Sequence, residues 1–101
     1  VAFEEQPMYD GGGQAIRKFL DQNLHYPEVM KASKTSGTVN VLFTVTTAGK
    51  VENIRIARGM GSLFNNEAMR VVGLMTNWKP GRQNGKPADM ETSLEIEFKP
   101  E

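Results

Sequence analysis

The sequence predicts a single α+β domain, 1–101, built from a three-stranded antiparallel sheet in order 2-1-3 with helices packed on one face. Three observations carry this expectation. Apolar residues recur at helical spacing over 13–24 and again over 65–76. They alternate with polar residues, the two-residue period of a strand, over 38–45, 50–58 and 90–98. Glycine, proline and asparagine gather at the joins, and 101 residues make one core rather than two.

The first ten residues read as an extended lead-in, because Pro7 and Gly11-Gly12-Gly13 interrupt any helix there. Ile16, Phe19, Leu20 and Leu24 then fall on one helical face, with Arg17, Lys18, Asp21 and Gln22 on the other, which predicts a helix over about 13–23. Pro27 suits the first turn of a short second helix ending near Ser33, with Glu28 close to its positive end. Val39, Val41, Phe43 and Val45 alternate with Asn40, Leu42 and Thr44, the pattern of a strand with one apolar face. Ala48-Gly49 makes the turn into a second strand over 50–58, with Ile54 and Ile56 on one side and Asn53 and Arg55 on the other.

Gly59-Met60-Gly61 ends that hairpin. Ser62 or Asn65 is expected to cap the next helix, whose stripe of Ala68, Val71, Val72 and Met75 faces the sheet and which ends near Thr76. Trp78 reads as core, and 80–87 as a polar loop. Asn84-Gly85 leaves open a tight hairpin turn between Trp78-Lys79 and Met90. The last strand, 90–98, sets Leu94, Ile96 and Phe98 against Glu95 and Glu97. A right-handed crossover through the long helix lays this strand beyond the first one, as an exposed edge. Phe19, Leu20, Val41, Phe43, Ile54, Val72 and Ile96 are the expected core.

Composition narrows the function. Twelve basic and twelve acidic side chains cancel, which is not the accumulated positive charge that nucleic-acid affinity is built from. There is no cysteine, hence no disulfide, thiolate metal site or cysteine nucleophile, and His25 has no second histidine to complete a metal site. Lys79, Arg82 and Lys86 lack the spacing of a phosphate-binding loop and read as a solvated turn. Glu95 and Glu97 sit two apart on one strand, with no sign of a pocket between them, and read as charges that discourage edge-to-edge aggregation. The expectation is a non-enzyme with no metal and no organic cofactor. No apolar run approaches the ~20 residues that cross a bilayer. Because the chain starts at Val1, it reads as an excised domain whose anchor or targeting segment would lie upstream.

An ordered set of short motifs adds to this reading. Gly-Gly precedes the first helix, followed by Tyr26-Pro27 and Gly37-Thr38-Val39-Asn40-Val41-Leu42-Phe43-Thr44-Val45. Gly49-Lys50-Val51, Asn66-Glu67-Ala68, Trp78-Lys79-Pro80-Gly81, Gly85-Lys86-Pro87 and a closing strand come next. In order and spacing, over about 3–98, the chain resembles the C-terminal domain of the TonB energy transducer family. It departs from that pattern at Val29-Met30, where a small alanine is common, at Ala48-Gly49 in place of Asp-Gly, and at Lys34-Thr35-Ser36.

The resemblance implies a periplasmic domain, tethered to the inner membrane by an upstream segment through which it meets inner-membrane motor proteins. Its task there would be to grip the TonB box of outer-membrane TonB-dependent transporters and convey work from the proton gradient for nutrient uptake. The grip is expected by strand addition to the edge formed by Glu91, Thr92, Ser93, Leu94, Glu95, Ile96 and Glu97, with Tyr26 and Pro27 supplying side-chain contact; the pair reads equally as Tyr26 packed on the domain and Pro27 starting a helical turn. A second copy of the chain would compete for the same edge as a homodimer. Two other readings stand beside it. One is a TonB-like partner-binding domain appended to a membrane sensor. The other is a small nucleic-acid-binding α+β domain, against which zero net charge and the acidic last strand weigh.

Overall fold

A computed structural model describes residues 4–100; the first three residues of the expected lead-in lie outside the described residues. The chain runs β1 (Glu4–Glu5), β2 (Met8–Tyr9), α1 (Gly12–Asn23), a 3-10 turn (Glu28–Ser33), β3 (Gly37–Val45) and β4 (Val51–Arg58). It continues with α2 (Ser62–Gly73), β5 (Trp78–Lys79), β6 (Gly81–Gln83), β7 (Lys86–Ala88) and β8 (Met90–Phe98).

The main sheet has three antiparallel strands in order β4-β3-β8. Its centre follows from the alternation in β3. Val39, Val41, Phe43 and Val45 all point one way and are fully buried, while Thr38, Asn40, Leu42 and Thr44 take the other face. β8 repeats the pattern with buried Ile96 and Phe98 and exposed Glu91, Ser93, Glu95 and Glu97. Its register with β3 is unbroken from Gly37 opposite Phe98 to Val45 opposite Met90. α2 brings Phe64, Ala68, Val71 and Val72 into the same cluster, where each large apolar side chain fully buried contributes about 1.5–3 kcal/mol.

β4 is less regular. The register shifts opposite Asn40/Val41 and again opposite Leu42/Thr44. Asn53, in the second irregularity, adopts the left-handed conformation at φ 55°, which asparagine tolerates better than most residues. The extra residues keep Ile54 and Ile56 against the core and Arg55 on the open face.

Several expectations need correction. α2 stops at Gly73 rather than near Thr76. Leu74 and Met75 donate to the carbonyls of Val71 and Val72, three residues back, so the end is a tightened turn. Neither Ser62 nor Asn65 caps α2; Gly61 occupies that position, and Asn65 Oδ1 instead accepts the Met60 N–H at 2.9 Å. The polar loop over 80–87 is mostly strand. β6 and β7 form a hairpin whose two turn residues, Asn84 and Gly85, have φ of 51° and 80°, the mirror-image turn that matches strand twist. That hairpin and the short strand before it pin the lead-in, since β1 pairs with β6 and β2 with β5.

Val41, Phe43, Val72 and Ile96 lie in the buried cluster, but Phe19, Leu20 and Ile54 only rest half-buried against it. Their places are taken by residues at the chain's joins. Tyr9 is 6% exposed and meets Trp78 edge-on with ring centroids 5.3 Å apart; Trp78 in turn lies 5.2 Å from Phe43. No residue of α1 is fully buried, because that helix covers the margin of the core. This position leaves a groove beside it.

Candidate functional site

The groove runs between α1 and the C-terminal end of β8. Ile16, Leu20 and Leu24 of α1, together with Tyr26, form one wall; Glu95, Glu97 and Phe98 form the other, enclosing about 660 Å³. The apolar stripe of α1 is divided by its surroundings. Phe19 turns to Tyr9, with ring centroids 6.3 Å apart, whereas Ile16, Leu20 and Leu24 reach the groove. A single helical stripe thus serves both the core and an open surface.

The two edges of the main sheet differ. β4 carries both register shifts, which interrupt the row of backbone groups that a new strand would need. β8 has nine residues in continuous register and, among the described residues, no neighbour on its outer side within the sheet. Its exposed acids are not equivalent. Glu91 pairs with Arg55 across the sheet and Glu97 with Lys99 at 3.4 Å, while among the described residues Glu95 makes no ion pair.

Tyr26 is fixed from the inside. Its hydroxyl donates to the Thr35 carbonyl at 2.5 Å, and its ring stands edge-on to Phe64 and Phe98 at 5.5 and 6.5 Å. What it offers the groove is ring surface, not its hydroxyl. The chain just before it is clamped to α2. Glu67 accepts the His25 N–H at 2.7 Å and two hydrogen bonds from Arg70, and Arg70 also donates to the Asn23 carbonyl at 2.7 Å. Burial pushes the Glu67 carboxyl pKa up, but the bonds from Arg70 and His25 outweigh it and hold the carboxyl below its ordinary value.

The residues expected to act together are only partly gathered. Tyr26, Glu95 and Glu97 line the groove; Glu91, Thr92, Ser93, Leu94 and Ile96 belong to the same edge strand but not to the groove wall. Pro27 lies outside the groove, in a second hollow of about 530 Å³ with His25, Leu63, Glu67 and Arg70, and Tyr26 borders both. The α1 wall was not foreseen as part of a site. Its only sequence signal is the stripe of Ile16, Leu20 and Leu24, which reads equally as core. Among the described residues, no three His, Cys, Asp or Glu side chains come together as a metal would require, and no helix is long and apolar enough to cross a membrane.

An unbroken free edge beside an apolar wall is an arrangement suited to receiving an extended peptide. The family model of the Gram-negative bacterial TonB protein C-terminal domain matches residues 22–100, from the end of α1 through β8. The chain belongs to the TonB C-terminal family. No curated protein matches it. Domains of this family are periplasmic, belong to energy transducers rather than enzymes, and are associated with outer-membrane transporters. Within this TonB C-terminal domain, β1, β2 and nearly all of α1 precede the matched region.

Proposed function

We propose that this chain is the periplasmic gripping module of a TonB energy transducer. It binds the TonB box of an outer-membrane transporter by taking that peptide as an added strand on β8, and conveys work from the inner-membrane proton gradient for nutrient uptake. One observation carries the reading: β8 ends the sheet in unbroken register, with a groove beside its C-terminal end. In this reading, residues 1–101 form one domain, held to the inner membrane by an upstream segment that meets the motor proteins. A second copy competes with the peptide for the same edge.

The energetics fit a grip that must also release. About five ladder bonds at a net ~0.5–1.5 kcal/mol each give only a few kcal/mol. Apolar contact with Ile16, Leu20, Leu24 and the Tyr26 ring raises this toward the roughly −8 kcal/mol of micromolar binding. Ladder bonds lie across the strands, so a pull along the strand axis loads them together. Titrating the isotopically labelled domain with a TonB-box peptide and following backbone NMR shifts tests the reading. Shifts in β8 and the groove face of α1 are expected; shifts confined to β4 or the β6–β7 hairpin would overturn it.

A further inference from the structure

The groove carries information about the peptide as well as a place for it. An added strand would show successive side chains to opposite faces of the sheet. On the buried face it would meet Ile16, Leu20 and Leu24 of α1, beside Phe98. On the open face it would lie alongside Glu91, Ser93, Glu95 and Glu97, all of them exposed. The two faces therefore differ in what they favour.

Charge sharpens the difference. Arg17, Asp21, Glu95, Glu97 and Lys99 line the groove, two cationic and three acidic. Lys99 already pairs with Glu97, and Arg17 and Asp21 stand on the helix wall with opposite signs. Glu95 is left as the acid on the edge strand without an ion-pair partner among the described residues. A side chain on a neighbouring strand, directly opposite on the same face, has its Cβ about 4.5–5.5 Å away. Lysine or arginine there reaches the Glu95 carboxylate, and aspartate or glutamate is repelled by it.

We propose that the groove selects extended peptides of alternating character, with apolar side chains toward α1 and a cationic side chain toward Glu95. This deepens the strand-addition reading and rests on it. The probes are three synthetic seven-residue peptides that share valines at one parity and carry lysine, glutamine or glutamate throughout the other. Their affinities for the full chain are measured by fluorescence anisotropy, at low and at high salt, with NMR shifts recording where each one binds.

The lysine peptide is expected to bind about three- to tenfold more tightly than the glutamate peptide at low salt, with glutamine between them, and the gap should shrink as salt rises. Glu95→Lys should reverse the order, while Glu95→Gln should bring the three peptides together. If all three peptides shift β8 with equal affinity, or if Glu95→Lys leaves the order unchanged, the charge selection is wrong although strand addition stands. If no peptide shifts β8 or α1, strand addition itself fails, and the inference fails with it.

Discussion

Truncating Phe43 to alanine probes the centre of the sheet, and its outcome can be set against the same truncation of Ile54 one strand away. Phe43 is fully buried on the central strand, with its ring tilted against Trp78 at 5.2 Å. Removing it forfeits the transfer energy of the ring and opens a cavity in the buried cluster beside Trp78, together about 3–5 kcal/mol. The lost aromatic pairing is part of that figure, because such contacts contribute about 0.5–1.5 kcal/mol. Ile54 is half-buried beside the irregularity in β4, where water already reaches part of the side chain. Ile54→Ala is therefore expected to cost less, about 1–2 kcal/mol. A domain of this size has about 5–15 kcal/mol in all, so the first variant is close to unfolding and the second is not. Urea unfolding followed by circular dichroism measures both. Equal losses at the two positions, or a larger loss at Ile54, would refute the placement of β4 at the margin of the core.

Three further outcomes follow from local geometry. The clamp on Glu67 contributes stability above the ordinary carboxylate value of 4.5, and loses it as pH falls through the lowered folded-state pKa. Glu67→Gln should flatten that part of the stability–pH curve, measured as urea midpoints on acidification. Tyr26→Phe removes the hydroxyl bond to Thr35 and should cost about 1 kcal/mol, while leaving peptide affinity unchanged because the hydroxyl points inward. Tyr26→Ala should weaken both. Gly49 has φ 78°, and an added Cβ would stand 2.6 Å from the Trp78 carbonyl oxygen, so Gly49→Ala should cost more than ~1 kcal/mol in the same unfolding assay.

What the sequence made legible depended on length and on one-sided burial. β3 and β8 are nine residues each, with one buried and one wetter face, so their alternation is plain. β1, β2 and β5 have two residues each, too few for any period, and Tyr9 escaped notice as core for that reason. The β6–β7 hairpin carries exposed Arg82, Gln83 and Lys86, which give no alternation; Asn84-Gly85 was its only trace. The irregularity at Asn53 answers to pairing with β3, a long-range demand that no local pattern announces. Of the site, the acidic edge strand could be read from topology. Its apolar wall could not, since helical spacing says that Ile16, Leu20 and Leu24 share a face but not which neighbour that face lacks.

The claim that β8 receives a strand is tested most directly by changing the peptide's backbone and nothing else. A strand bonds to its neighbour through every second residue on one side, so N-methyl groups at alternate positions block one parity of donors and spare the other. Two versions of a TonB-box peptide, methylated at odd or at even positions, would be titrated against the labelled domain. One version should lose at least about tenfold in affinity and its shifts in β8, while the other binds nearly as well as the parent, consistent with two or three lost ladder bonds at ~0.5–1.5 kcal/mol each. Equal affinity of both versions with the unmodified peptide would contradict strand addition.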